Sequence, residues 1–198
     1  MSTPPRTLNE LFFGAMDRSA SRPVAMRVKR SGTWVGTSFA ELLSQVQAFS
    51  IGLHELGVNA GDRLAILSEN RPEWAVTDFA CLACRCADVP VYPTLPAHQI
   101  EYILRDSGAV AVCCSSAAQL GKILEIRGNL PALKTIVVFD ADAATGGALT
   151  FDSVLARGRA AIPKYPTWRA DALAVKPDDL ATLIYTSGTT GDPKGVML

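Results

Sequence analysis

The chain has 198 residues, of which 48% are hydrophobic, and its 19 Lys and Arg residues balance its 19 Asp and Glu residues. A chain of this length can bury one substantial core, so we expect one globular unit or a large part of one. The balanced charge provides no basic field for a nucleic-acid partner. A secretory signal pattern and an apolar run of ~20 residues are both lacking, so a cytoplasmic protein is predicted.

The N-terminal fifth of the chain predicts a helix, a hairpin and a longer helix. Residues Leu8–Asp17 favour a short helix, and two β-prone runs flank a turn at Ser31-Gly32. Ser38 and Glu41 then form a capping box at the start of the longer helix. Apolar residues recur after it at steps of three and four, which is typical of a helix packed on a core.

Short apolar runs alternate with helical windows through the middle of the chain. The strand candidates are 64–67, 89–92, 110–113 and 136–139, and the helix candidates are 72–86, 97–106, 117–129 and a shorter patch near 151–156. This alternation predicts an α/β fold, with a mostly parallel sheet flanked by helices. Ligands of such sheets bind beyond the carboxyl ends of the strands.

Five cysteines suggest a metal site at first sight, because C-x-x-C and C-x-C spacings occur in zinc sites. They are Cys81, Cys84, Cys86, Cys113 and Cys114. The first three belong to an apolar helical stretch, and Cys113 ends a strand candidate. We therefore favour buried thiols that behave as small hydrophobic side chains.

The run Ser68–Trp74, S-E-N-R-P-E-W, offers carboxylates that could act in acid–base chemistry. Entry into a helix explains the run better. Asn70 is predicted to cap the helix, Pro72 lies in its first turn, and Glu73 favours its positive end. The two histidines of the chain have no Ser or Cys partner in an evident nucleophile motif, so triad chemistry is unsupported.

The segment Tyr185–Leu198, Y-T-S-G-T-T-G-D-P-K-G-V-M-L, has the composition of a phosphate-binding loop. Its glycines let main-chain N–H groups approach an anion, its hydroxyls donate hydrogen bonds, and the ammonium of Lys194 neutralises charge. It differs from the P-loop of nucleotide hydrolases, because Pro193 precedes the lysine and Gly195 follows it. Both flanks are β-prone, so we predict that the loop joins two strands.

Residues Thr186–Gly195 resemble, position by position, the signature loop of the adenylate-forming superfamily of acyl-CoA synthetases, luciferases and peptide-synthetase adenylation domains. Other runs resemble bacterial long-chain fatty acid–CoA ligases; they are G-D-R-L-A-I-L-S-E-N-R-P-E-W (61–74), V-P-V-Y-P-T-L-P (89–96), I-L-R-D-S-G-A (103–109) and K-P-D-D-L-A-T-L-I-Y (176–185). The resemblance implies that residues 1–198 are the N-terminal portion of the large AMP-binding domain, with the small C-terminal domain outside this chain.

The resemblance also implies a two-step ligase reaction. A carboxylate attacks the α-phosphorus of ATP to give an acyl-adenylate and pyrophosphate, and the thiol of coenzyme A then displaces AMP. Mg²⁺ is expected to bridge the phosphates near the Thr186 hydroxyl. The residues expected to bind the ATP phosphates are Thr186, Ser187, Gly188, Thr189, Thr190, Gly191 and Lys194.

The catalytic residues of such a ligase are expected outside this chain, so the chain alone is predicted to be inactive. Two alternatives stay open: a non-catalytic binding or assembly module, and a ligase for aromatic or short-chain acids. A fatty acid substrate is compatible with peripheral contact to a membrane surface, although the sequence contains no strongly basic amphipathic helix.

Overall fold

The computed structural model describes residues 4–186 and 193–198. The helices in these ranges are α1 Leu8–Ser19, α2 Phe39–Glu55, α3 Pro72–Ala83, α4 Ala97–Ser107, α5 Ala117–Ile126, α6 Phe151–Ala161 and α7 Trp168–Leu173. The strands are β1 Met26–Arg30, β2 Thr33–Thr37, β3 Arg63–Leu67, β4 Ala87–Val91, β5 Ala111–Cys114, β6 Thr135–Val138, β7 Leu149–Thr150, β8 Leu183–Thr186 and β9 Lys194–Met197. The predicted alternation of strands and helices is confirmed, with bounds that shift by a few residues.

The central sheet has five strands in the order β4-β3-β5-β6-β7, and every neighbouring pair is parallel. The predicted α/β class is therefore confirmed. The chain passes from β3 outward to β4 and then crosses to β5 on the other side of β3. Two smaller antiparallel pairs, β1-β2 and β8-β9, accompany this sheet.

Both faces of the sheet are buried, which explains why its strands are apolar without alternation. In β3, Leu64 and Ile66 belong to one hydrophobic cluster, whereas Ala65 and Leu67 belong to the other. The first cluster takes its helical residues from α1, α2, α3, α6 and α7. The second takes them from α4 and α5. None of the helices in the described part of the chain is long and apolar enough to span a membrane.

Helices α2 and α6 approach each other closely through two glycines. A Cβ atom placed on Gly158 of α6 would lie 1.7 Å from the carbonyl oxygen of Ala48 and 2.8 Å from the backbone nitrogen of Gly52. A Cβ atom on Gly52 of α2 would lie 2.3 Å from the carbonyl oxygen of Val154. The two backbones therefore contact each other where ordinary side chains would separate them.

The predicted start of α2 is confirmed and that of α3 needs a correction. Ser38 Oγ accepts a hydrogen bond from the backbone of Glu41, and the Glu41 carboxylate accepts one from the backbone of Ser38 at 2.7 Å. The prediction that Asn70 caps α3 is wrong, because the N-cap residue is Arg71, which makes no side-chain capping bond. Asn70 therefore precedes the cap, and Pro72 occupies the first turn as predicted.

Candidate phosphate-binding site

The two strands β8 and β9 form an antiparallel pair that brackets the predicted loop. This confirms that the loop joins two strands. Two of the predicted site residues, Thr186 and Lys194, lie in these strands. The other predicted site residues lie outside the described residues; they are Ser187, Gly188, Thr189, Thr190 and Gly191.

Thr186 and Lys194 are direct cross-strand partners, and so are Tyr185 and Gly195. Side chains of cross-strand partners lie on the same face of a strand pair, and successive residues alternate between faces. The hydroxyl of Thr186 and the ammonium of Lys194 therefore share one face, and both residues are exposed. Tyr185 is on the other face, where it is 7% exposed and belongs to the hydrophobic cluster beneath α4 and α5.

Strand β8 runs beside β4, at the edge of the central sheet, and is parallel to it. Asp88 of β4 forms a parallel bridge with Thr182, and its backbone N–H donates to the Ala181 carbonyl oxygen at 3.1 Å. Since β4 and β8 run parallel, their carboxyl ends reach the same edge of the sheet. This edge is where ligands of parallel α/β sheets bind, and Thr186 lies there as the last residue of β8.

Tyr185 connects the β8–β9 pair to α4 through a side-chain hydrogen bond. Its hydroxyl donates a hydrogen bond of 2.6 Å to the Asp106 carboxylate. Burial raises the pKa of Tyr185, and the bond to Asp106 raises it further, so the phenol stays protonated as a donor. The sequence suggested no partner for Tyr185, since Asp106 is 79 residues away along the chain.

The C-terminal turn of α4, which carries Asp106, is itself held by hydrogen bonds. Gly108 ends the helix in a left-handed conformation with φ of 63°. The Arg63 guanidinium donates to the Ser107 carbonyl oxygen at 2.6 Å and to the Gly108 carbonyl oxygen at 3.0 Å. Arg63 thus satisfies carbonyl groups that the end of a helix leaves without intrahelical partners.

The described part of the site can hold an anion, whereas it provides few ligands for a metal ion. Lys194 supplies a point charge with three N–H donors and Thr186 supplies a hydroxyl. Among the described residues, no group of three or more His, Cys, Asp or Glu side chains is arranged to hold a metal ion. Mg²⁺ keeps several waters and binds phosphates with few protein ligands, so Thr186 with a bound polyphosphate fits that ion.

Other residues that the sequence suggested for chemistry have structural contacts. Arg71 pairs with Glu73 at 2.8 Å and with Asp140 at 2.9 Å, and Arg30 also pairs with Glu73. Burial alone would raise the pKa of Glu73, but the hydrogen bond from Arg71 lowers it below its ordinary value. Glu73 is therefore a charged member of an ion-pair network at the start of α3.

The predicted burial of the cysteines is confirmed for four of them. Cys81, Cys86, Cys113 and Cys114 are buried, and Cys84 is half-buried. The Cys84 thiol donates to the Ser50 carbonyl oxygen at 3.2 Å, and that of Cys86 donates to the Asn59 carbonyl oxygen at 3.0 Å. Burial raises the pKa of Cys113 well above its ordinary value and that of Cys114 to about 12.

Two carboxyl groups that the sequence did not single out lie where β8 joins the sheet. Asp88 of β4 is buried and Asp78 of α3 is half-buried, and the negative charge of Asp88 acts on Asp78. Burial raises the pKa of Asp78 to about 7, and Asp88 contributes to that shift. Burial also raises the pKa of Asp88 to about 6, against a hydrogen bond from Thr182 that lowers it.

We expect this carboxyl pair to make folding stability fall as the pH rises. The native state binds both protons more tightly than the unfolded chain, whose aspartates titrate near pH 4. The contribution of this pair to stability is therefore highest below that value and is lost as the pH rises to about 6 and 7, where the native groups ionise. At about 1.4 kcal/mol per pH unit for each group, the loss between pH 5 and pH 8 is on the order of 4 kcal/mol.

Urea unfolding of the chain at pH 5 and pH 8 measures this effect. Asp78→Asn removes one charge and should flatten the dependence, whereas Asp142→Asn, at an exposed position, should leave it unchanged. Equal midpoints at both pH values in the unsubstituted chain would contradict the expectation.

Comparisons with known proteins identify the family of the chain. A family model described as AMP-binding enzyme matches residues 14–198. The long-chain-fatty-acid–CoA ligase FadD15 of Mycobacterium bovis is 40% identical over 167 residues, which are 84% of this chain and 27% of that protein. The peroxisomal long chain acyl-CoA synthetase 7 of Arabidopsis thaliana is 33% identical, with 97% of this chain and 28% of that protein covered. The chain thus spans about a quarter of the length of these relatives.

Solved structures share the fold. The anthranilate CoA ligase AuaEII in complex with anthranoyl-AMP superimposes with a TM-score of 0.77 and 25% identity, over 96% of this chain and 34% of that chain. A red-emitting luciferase from Phrixothrix hirtus gives a TM-score of 0.76 at 19% identity, over 99% of this chain and 38% of that chain. The predicted superfamily is confirmed. Because the family model covers all but the first thirteen residues, this chain belongs to the AMP-binding enzyme family.

Proposed function

We propose that this chain is the N-terminal, phosphate-binding part of an AMP-forming ligase that joins a long-chain fatty acid to coenzyme A. The observation that carries the proposal is the register of β8 and β9, which sets Thr186 opposite Lys194 at the carboxyl edge of the sheet. A hydroxyl and an ammonium on one exposed face form a site for the phosphates of ATP.

The proposed reaction assigns a defined task to these residues. The fatty acid carboxylate attacks the α-phosphorus of ATP, the bond to the β-phosphate breaks, and pyrophosphate leaves. The CoA thiol then attacks the acyl carbon, and AMP leaves with the electron pair of the broken acyl–phosphate bond. Lys194 would stabilise the negative charge on the departing pyrophosphate, and Thr186 would orient it, so both act by position and charge.

Sequence similarity favours a fatty acid over an aromatic acid as the substrate. The mycobacterial long-chain-fatty-acid–CoA ligase is 40% identical to this chain, whereas the anthranilate CoA ligase is 25% identical. The residues that would contact the acyl group are expected in the remaining part of such a ligase. The chain supplies phosphate binding, and the rest of the ligase would supply acyl selection and catalysis.

A chimera tests the proposal. Residues 14–198 of this chain would replace the matching quarter of the M. bovis ligase, and release of pyrophosphate would be measured with MgATP, palmitate and CoA. We expect the chimera to release pyrophosphate and to form palmitoyl-CoA. The 198-residue chain alone is expected to do neither, because we propose that the catalytic groups lie outside it.

Two controls make the result interpretable. Benzoate in place of palmitate should give no product, and circular dichroism of the chimera should match that of the parent ligase. Pyrophosphate release by the isolated chain would refute its proposed inactivity. A folded but inactive chimera would favour the alternative of a binding or assembly module.

A further inference from the structure

The contacts of Tyr185 connect the candidate site to a helix that carries none of the predicted phosphate ligands. Tyr185 immediately precedes Thr186, and its cross-strand partner Gly195 immediately follows Lys194. Any movement of the Tyr185–Gly195 pair therefore moves both Thr186 and Lys194. The Tyr185 hydroxyl is bound to Asp106, whose helical turn is fixed by Gly108 and by hydrogen bonds from Arg63.

The side chain of Tyr185 also explains why residue 195 is a glycine. A Cβ atom at position 195 would lie 3.0 Å from Tyr185 Cζ, 3.2 Å from its hydroxyl oxygen and 3.3 Å from Cε2. These distances are shorter than ordinary carbon contacts, which are about 3.5–4.0 Å. The ring thus lies directly over Gly195, and a larger residue there would displace the ring from its hydrogen bond.

If the Tyr185 ring were displaced, it could move into a neighbouring cavity. A cavity of about 260 Å³ lies beside the strand pair and is lined by Tyr92, Ile103, Tyr185, Thr186 and Pro193, among others. An alanine at position 195 could therefore be accommodated by a shift of the tyrosine ring without unfolding the strand pair. Such a shift would break the bond to Asp106 and release the base of the loop.

We propose that Tyr185, held by Asp106 and packed over Gly195, is a positioning residue that fixes Thr186 and Lys194 for binding the phosphates of ATP. This inference rests on the proposed function. Tyr185 contacts no phosphate in this role, because it faces the hydrophobic cluster and acts through its two neighbours. Asp106 acts through Tyr185, so the two side chains should behave as one unit in binding experiments.

The test measures binding of tripolyphosphate to the 198-residue chain by calorimetry. Tyr185→Phe keeps the ring and removes the hydroxyl, and we expect it to weaken binding about tenfold. Asp106→Ala should have the same effect, and the double variant should be no weaker than either single one. Asp106→Asn keeps an oxygen acceptor and should retain most of the affinity.

A matched control separates positioning from general stability. Tyr165 donates a hydrogen bond of 2.7 Å to the carboxylate of Glu55 in α2, a helix that packs on the opposite face of the sheet from α4. Tyr165→Phe removes the same kind of bond and should leave tripolyphosphate binding unchanged. Gly195→Ala should weaken binding as Tyr185→Phe does, and adding Tyr185→Phe to it should cause no further loss.

Hydrogen exchange provides a readout without any ligand. Backbone amides of Lys194–Met197 should exchange faster in Tyr185→Phe than in Tyr165→Phe. If the unsubstituted chain does not bind tripolyphosphate, the proposed function fails in this chain and the inference fails with it. If the unsubstituted chain binds and Tyr185→Phe binds equally well, the positioning role alone is refuted.

Discussion

Replacing Lys194 by methionine should weaken the binding of tripolyphosphate to this chain by about 10- to 100-fold. Lys194 lies opposite Thr186 on the exposed face of the β8–β9 pair, and its ammonium is the cation that the site offers to phosphate. Methionine keeps a similar length and apolar stem but removes the charge and three N–H donors. Calorimetry at constant ionic strength measures the change, because exposed charges are screened by salt.

The matched variant is Lys134→Met. Lys134 is exposed and immediately precedes β6, so it lies at the amino edge of the sheet, away from the proposed site. Both variants lose one positive charge, and only Lys194→Met should lose affinity. Equal affinities in the two variants would mean that the net charge of the chain, and no particular lysine, determines tripolyphosphate binding.

Replacing Gly158 by alanine should destabilise the fold by about 3 kcal/mol or more. The added Cβ atom would lie 1.7 Å from the Ala48 carbonyl oxygen, so α6 must move away from α2. That movement would also disturb the ring stack of Phe49 and Phe151, whose centroids are 4.6 Å apart in the same interface. Domains have only about 5–15 kcal/mol of stability, so a loss of this size should be measurable as a lower urea midpoint.

Gly121 provides the control in another helix. A Cβ atom at this position in α5 would meet no other atom within 4 Å, so Gly121→Ala should be neutral or slightly stabilising through helix propensity. Opposite effects of the two glycine replacements would show that close backbone contact sets the requirement at position 158. A Gly158→Ala chain as stable as the unsubstituted one would contradict the packing of α2 against α6.

Local patterns in the sequence were sufficient to predict the fold class and most elements. The capping box at Ser38 and Glu41 involves residues three apart, and the apolar runs of β3 and β5 are contiguous. Such patterns depend on backbone geometry within one element, so they can be recognised without knowledge of the partner elements. The same holds for the loop between β8 and β9, whose strand-like flanks predicted the observed pairing.

Two helix ends differ from the predicted ones. Asn70 was predicted as the cap of α3, but Arg71 occupies that position and pairs with Asp140, 69 residues away. The helical patch near 151–156 extends in the structure to Ala161 through Gly158, a residue that disfavours helix by its own propensity. At position 158 close packing against α2 outweighs the local preference, and a single sequence does not reveal such a partner.

The sequence by itself determined that the chain has an α/β fold and that the segment predicted to bind phosphate is flanked by two strands, because hydrophobic periodicity and glycine placement are local properties. The tertiary structure alone decided that Asp106 holds Tyr185, that Asp78 lies close enough to sense the charge of Asp88, and that Gly158 contacts α2. These relations join residues on different elements. Their distances are set by how helices pack on the sheet, which no stretch of sequence specifies locally.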